Sequence, residues 1–266
     1  MEYIFETKGI TKRFGGLVAV DHVDIQVKPG EIRGLIGPNG SGKSTTLNLI
    51  SGVYPIDEGE VIFEGQVIND LPPHKRAELG IARTFQNNRL FNNLSILENA
   101  MVGQHCRTSA ELGRVLFRPR AAAEEAERIR QRAQECLDFV GLKRPPEFLA
   151  QALPHGERRL LEIARAMATE PKLILLDEPA TGMNPSEKER LVEVIRRIRD
   201  VGITVILIEH NMQVVMGISD KVTVLNFGRK IGEGTPAEVQ HNQAVIEAYL
   251  GEDDEEEELN DAVKNG

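Results

Sequence analysis

Gly37-Pro38-Asn39-Gly40-Ser41-Gly42-Lys43-Ser44 sets glycines, a lysine and a hydroxyl at the spacing G-x-x-x-x-G-K-[ST]. Glycines let backbone N–H groups turn inward around phosphate oxygens, and the N-terminus of a following helix adds a favourable dipole. The stretch therefore reads as a phosphate-binding loop. Asn39, Gly40 and Gly42 shape it, Lys43 would reach the β- and γ-phosphates of a nucleotide such as ATP, and the Ser44 hydroxyl would hold Mg²⁺. Thr45 follows in the same turn and joins the nucleotide-binding set.

A second chemical group lies far downstream. Lys172-Leu173-Ile174-Leu175-Leu176-Asp177-Glu178 is an apolar strand ending in two carboxylates, the form of a Walker B segment. Asp177 is expected to help hold the metal, directly or through water, while Glu178 polarises or deprotonates the water that attacks the γ-phosphate in line. An apolar strand ending in Asp is common by itself. Joined to the phosphate loop, it becomes specific for nucleotide hydrolysis.

These residues need elements to position them. Ile32–Ile36 reads as a short buried strand before the loop, and Ser44–Ile50 as the helix after it. Val23–Val27 alternates apolar and polar residues, and Gly59–Gly65 continues a strand pattern, so the section from about residue 3 to 35 and its extension form strands near the nucleotide. From about 95 to 170 the character changes. Ala121–Asp138 is rich in Ala, Glu, Arg and Gln, a helical composition, and Leu160–Ala168 is a further helical stretch. Buried strands follow over 172–176 and 203–208, separated by a helix over 186–200 and followed by one from Asn211. The fold class is α/β: a P-loop NTPase core with an antiparallel β subdomain and a helical subdomain, about residues 88–170, inserted in the core.

At 266 residues, with 41% hydrophobic and 27% charged residues, the chain can bury a large core. No apolar run approaches the length of a membrane-spanning helix. Residues 1–8 lack the basic then apolar plan of a signal peptide, so a cytoplasmic location is expected. Cys106 and Cys136 lack metal-ligand spacing and are expected to stay reduced. Net charge is −9, unevenly spread: 252–258 are all Glu or Asp, Asp261 adds one and Lys264 offsets one, leaving the body near −2. The acidic tail, 251–266, is expected to be disordered, and a nearly neutral body offers no broad footprint for nucleic acid.

Leu153-Pro154-His155-Gly156-Glu157-Arg158-Arg159 lies just ahead of a helix and shortly before the strand that ends in Asp177, where ABC ATPases carry their L-S-G-G-Q signature. Only the leucine and the second glycine match. With the ordered set of Phe14, the phosphate loop, Thr84-Phe85-Gln86-Asn87, Asp177-Glu178 and Ile208-Glu209-His210-Asn211, the chain resembles the ABC transporter ATPase family over about residues 3–250. Singly, Phe14 would pass for a core aromatic, Gln86 for a surface amide and His210 for a satisfied buried histidine. Their shared order identifies them. The resemblance implies that Phe14 stacks on adenine, Gln86 senses Mg²⁺ or the attacking water, and His210 contacts the γ-phosphate. Pro154, His155 and Gly156 would meet the γ-phosphate of an ATP held by a second subunit, and Asn184 takes the place of the usual D-loop aspartate.

More narrowly, Asn88-Arg89-Leu90-Phe91, the region of Leu116-Phe117-Arg118, the Pro154-His155-Gly156 variant, Met216–Asp220 and Ala248-Tyr249-Leu250-Gly251 are similar to the ATP-binding subunit of branched-chain amino acid importers. The resemblance implies a head-to-tail dimer, homomeric or heteromeric, peripheral on the inner face of the cell membrane. That dimer would power separate permease subunits, and indirectly serve a solute-binding protein. The segment 85–97 would dock the permease, since it spans Gln86 and carries Leu90, Phe91 and Leu94 among polar residues. Alternatives are an importer for urea or short amides, a soluble ABC ATPase of DNA repair or translation, and an ATP-binding module without turnover. The soluble reading calls for a long coiled coil, two cassettes or a basic surface, and the module needs no Glu178.

Overall fold

A computed structural model describes residues 2–84, 90–107 and 119–249. The chain divides into two units, Met1–Leu71 with Thr204–Gly266, and Pro72–Ile203.

In the first unit, β1 (Phe5–Phe14) and β2 (Leu17–Val27) form an antiparallel hairpin, running from Phe5 opposite Val27 to Phe14 opposite Leu17. β4 (Glu58–Phe63) pairs with the other edge of β1, and β5 (Gln66–Val67) completes the sheet. The strand pattern expected over 59–65 stops at Phe63. Glu64 and Gly65 have φ of 48° and 77°, the left-handed pair of a two-residue hairpin turn, so their polar and glycine character serves a turn.

β3 (Ile32–Ile36) lies parallel between β8 (Thr204–Ile208) and β9 (Lys221–Asn226), and β9 turns back antiparallel into β10 (Arg229–Gly234). Every residue of β3 and β8 is buried, which is why neither alternates apolar with polar residues; Arg33 is the one charged side chain in the pair. Ile36, Val222 and Val224 pack with Val215 of the helix Met212–Ile218, and that helix approaches closely because position 34 is glycine. A Cβ there would lie 2.8 Å from Val215 Cγ1. The buried Arg33 guanidinium donates to Glu31 (2.7 Å), Thr223 (3.1 Å), Glu233 (2.7 Å) and the Gln26 carbonyl (2.6 Å), so its charge is fully met.

In the second unit, β6 (Ile81–Arg83) runs parallel to β7 (Leu173–Asp177). The helices Ile96–Val102, Pro119–Phe139 and His155–Ala168 pack on one another, and Pro185–Asp200 follows β7. The helix expected from Leu160 starts five residues earlier, at His155, with Pro154 as its N-cap. The polar run His155–Arg159 hides the start. Yet Gly156, Arg159 and Leu160 already occupy its buried face, where Arg159 pairs with Glu162 at 3.1 Å.

Candidate functional site

In the first unit the phosphate loop leaves the end of β3 and enters the helix Lys43–Ile50. Gly37 (φ 149°), Gly40 (φ 74°) and Gly42 (φ 99°) all have positive φ, for two different reasons. A Cβ on Gly37 would lie 2.0 Å from the Leu225 carbonyl oxygen, and one on Gly42 2.6 Å from that of Ala19, whereas Gly40 faces open space. Gly37 and Gly42 are thus packed against backbone, while Gly40 is needed for its conformation alone. The loop is held from outside as well, because Gly228 N–H donates to the Ser41 carbonyl at 3.0 Å.

The buried Lys43 ammonium donates to the carbonyls of Gly37 and Pro38, both at 2.7 Å, and to Ser41 Oγ at 3.3 Å. Its charge is therefore stationed inside the turn of the loop. Asn39, Gly40 and Ser44 are exposed and Thr45 is half-buried, so the loop tip and the first helical turn are accessible. Phe14, at the end of β1, is 44% exposed and meets Tyr54 edge-on at 5.4 Å, with Lys12 Nζ 5.6 Å from its ring centroid. It is not a core aromatic. His210 is exposed just beyond β8, between the buried Glu209 and Asn211, whose side chain caps the next helix.

In the second unit Asp177 ends β7 and is only 3% exposed. Its Oδ2 accepts from Arg83 at 3.0 Å and its N–H donates to Thr84 Oγ1 at 3.3 Å. Asp177 Oδ1 is buried with no hydrogen-bond partner among the described residues. Burying a carboxylate oxygen without a partner is costly, and a hard cation is a group that would satisfy it. Glu178 follows at φ 47° and 7% exposure. Left-handed backbone at a buried glutamate is strained, and strain of this kind clusters at functional sites.

The segment Pro154–Gly156 is the N-terminal turn of the helix His155–Ala168. Pro154 and His155 are exposed and Gly156 is buried. The imidazole of His155 lies against Gly182, 3.2 Å from the position its Cβ would take. Gly156 packs on Glu187, whose Oε1 would be 2.5 Å from a Cβ at that glycine. Glu187 also closes a capping box with Asn184: Asn184 N–H donates to Glu187 Oε2 and Glu187 N–H to Asn184 Oδ1, each at 3.0 Å. Asn184 is thus a helix N-cap, and Glu187 joins it to the Gly156 turn. Gln86 lies outside the described residues, as do Leu116-Phe117-Arg118 and the tail.

Each unit gathers its own group: the loop residues, Phe14 and His210 in the first, Pro154–Gly156, Asn184, Asp177 and Glu178 in the second. Sequence reasoning missed Arg83 and gave no role to Thr84, the first residue of the segment Thr84-Phe85-Gln86-Asn87, yet both hold Asp177. It also missed Gly228, which acts across a long separation and leaves no local pattern, and Glu187, whose capping-box spacing from Asn184 is a local signal that could have found it.

The family described as ABC transporter matches residues 20–181, and that described as Branched-chain amino acid ATP-binding cassette transporter matches 229–255. The high-affinity branched-chain amino acid transport ATP-binding protein BraF of Pseudomonas aeruginosa is 41% identical over 94% of this chain and 98% of its own. An ATP-binding cassette of an ABC transporter, solved in its ADP conformation, is similar with a TM-score of 0.81 and 32% identity, over 94% of this chain and all of that one. A dimeric cassette in a post-hydrolysis state, bound to ADP and Pi, is similar with a TM-score of 0.73 and 27% identity, over 87% and 98% of the two chains.

Proposed function

Because this chain belongs to the ABC transporter ATP-binding family, we propose that it is the ATP-hydrolysing subunit of an importer that takes up branched-chain amino acids through separate membrane permease subunits. The observation that carries the hydrolytic part is the pair at the end of β7: a buried Asp177 with one oxygen unpartnered among the described residues, followed by a strained, buried Glu178. The relative and the matched segment 229–255 share the branched-chain description, which favours that cargo over urea or short amides.

The loop N–H groups and the helix N-terminus would bind the phosphates, with Lys43 neutralising charge on the β- and γ-phosphates. Ser44, Asp177 and Gln86 would hold Mg²⁺, and the hydroxyl and carboxylate oxygens fit a hard cation that binds few protein ligands. Mg²⁺, when bound, neutralises charge developing on the transferred phosphoryl group. Glu178 would accept the proton of the attacking water, with Gln86 and His210 placing that water and the γ-phosphate. Phe14 offers an accessible ring for adenine. Pro154, His155 and Gly156 would close on an ATP held by a second subunit. Gly156 N–H lies in the first turn of its helix, and Pro154 needs no N–H at a cap.

Among the described residues no helix is long and apolar enough to cross a membrane. In this reading the permease is supplied by other chains, and this subunit is peripheral on the inner face of the membrane. A solute-binding protein would act on it only through them. The docking surface proposed here is 90–97, the described part of 85–97. Phe91 is 51% exposed, while its N–H donates to Asn99 Oδ1 (2.9 Å) and its carbonyl accepts from Asn99 Nδ2 (3.0 Å). The loop backbone is fixed and the ring points out. Reconstitution with permease and binding protein tests the reading: leucine should stimulate ATP turnover, and Phe91→Asp should remove that stimulation without lowering thermal stability. Stimulation by urea or acetamide but not leucine would overturn the cargo assignment.

A further inference from the structure

The second unit carries a cleft of about 550 Å³, within the range of small-molecule sites, lined by Lys143, Arg144, Arg190 and Arg197 with Glu157 and Glu193. All of these residues lie between Pro72 and Ile203, so the cleft belongs to that unit alone. Four cations meet there against two carboxylates, on a chain whose net charge is −9. Arg144 and Glu157 already neutralise each other, with bonds of 2.8 and 2.9 Å to the two carboxylate oxygens. That leaves Lys143, Arg190 and Arg197 against Glu193. Like charges gathered in one cleft repel, and an anion among them relieves that cost. Arg190 donates to the Gly141 carbonyl, and the Arg197 guanidinium lies 4.6 Å from the Phe139 ring centroid. A guanidinium has five donors in a rigid fork, so both keep several after these contacts, and side chains fixed in advance lose less freedom when an anion arrives.

We propose that this cleft binds a small soluble polyphosphate, an anion with two or more linked phosphate groups. Arg190 and Arg197 stand two turns apart on the helix Pro185–Asp200, about 10.5 Å along its axis, on the face that also carries Glu193 and Val194. Lys143 is supplied by the segment after the helix Pro119–Phe139. Cations spread over that length match a chain of phosphates better than a single one, and guanidiniums meet phosphate oxygens in paired, charge-assisted bonds. Glu157 and Arg190 also line the small groove beside Pro154 and Gly156. A polyphosphate held by Arg190 therefore adds negative charge beside that helix start and disfavours a phosphate arriving there. This consequence rests on the phosphate reading of the turn; the binding does not.

Lysine acetylation footprinting of the full chain, read by mass spectrometry, tests the binding with inorganic tripolyphosphate as the probe. Against sodium chloride at matched ionic strength, so that general screening is equal, the probe should slow acetylation of Lys143 by about fivefold or more. The exposed Lys8 and Lys28 should be unaffected. Protection of Lys143 should persist in saturating ADP; its loss would assign the probe to the phosphate loop and overturn the proposal. Arg190→Gln/Arg197→Gln keeps Lys143 and should lose the protection. The comparison among lysines needs only the unaltered chain, so a variant that fails to fold does not rescue the proposal. Equal protection of all three lysines, no protection of Lys143, or stronger protection by phosphatidylglycerol vesicles at the same phosphate concentration would overturn it.

Discussion

Gly156 is where two demands meet on one residue. Its backbone stands in the first turn of a helix that would receive a phosphate, and its missing side chain makes room for Glu187, the carboxylate that caps Asn184. Gly156→Leu should abolish ATP-driven dimer formation and leave nucleotide binding by the monomer intact, as read by size-exclusion chromatography and nucleotide titration. The clash with Glu187 alone could produce that loss, so the second variant decides. Adding Glu187→Ala restores space, and the account expects dimer formation to stay lost because the leucine still covers the phosphate approach. Restoration would show that the glycine serves packing only. At this scale the sequence speaks wherever chemistry dictates type and spacing together, which is what makes Lys43, Ser44, Asp177 and Glu178 candidates. It is silent on Gly228 and on the contact of Glu187 with Gly156, because contacts across many residues leave no periodicity to read.

The turn from β9 to β10 consists of Phe227 and Gly228, with φ of 44° and 78°. Two-residue hairpins of this kind favour Asn-Gly, and a bulky residue in left-handed backbone costs about 1–2 kcal/mol. Phe227 is also 82% exposed, so no burial offsets the strain. Phe227→Asn should stabilise the chain by about 0.5–1 kcal/mol in chemical denaturation; destabilisation would show that the ring contributes to folding. The helix Ile96–Val102 behaves differently, since its start depends on charge. The Ser95 N–H donates to the Glu98 carboxylate at 2.7 Å, and that backbone bond, followed by the Ser95 side chain, holds Glu98 below its ordinary pKa of 4.5. A carboxylate with a lowered folded-state pKa stabilises fully above its unfolded value and loses that effect as pH falls through the folded one. The melting temperature of Glu98→Ala should therefore lie below that of the unaltered chain at pH 6–7, and the gap should close below about pH 4.5. A gap independent of pH would assign the effect to packing. Element boundaries were legible where apolar runs or alternation reach the ends, as in β3 and β8. They failed at His155, where a helix begins in polar residues, and at Glu64-Gly65, where a turn follows a strand without a break in composition.

At the scale of the whole molecule, the family and its α/β character were readable in advance because the ordered motifs span most of the chain, and the matched relatives cover it almost entirely. The division of labour between units was not. The phosphate loop belongs to one unit and Asp177, Glu178 and the Gly156 turn to another. Catalysis under the proposed function requires both groups of residues to act on one ATP, and closure of a dimer over it. Glu178→Gln isolates that requirement: the amide keeps the shape of the side chain and is a poor base. The decisive measurement is ATP turnover together with oligomeric state in Mg²⁺-ATP for this variant. The account predicts ATP affinity near that of the unaltered chain, turnover reduced by roughly 10²-fold or more, and accumulation of an ATP-bound dimer; near-normal turnover with no dimer would contradict it.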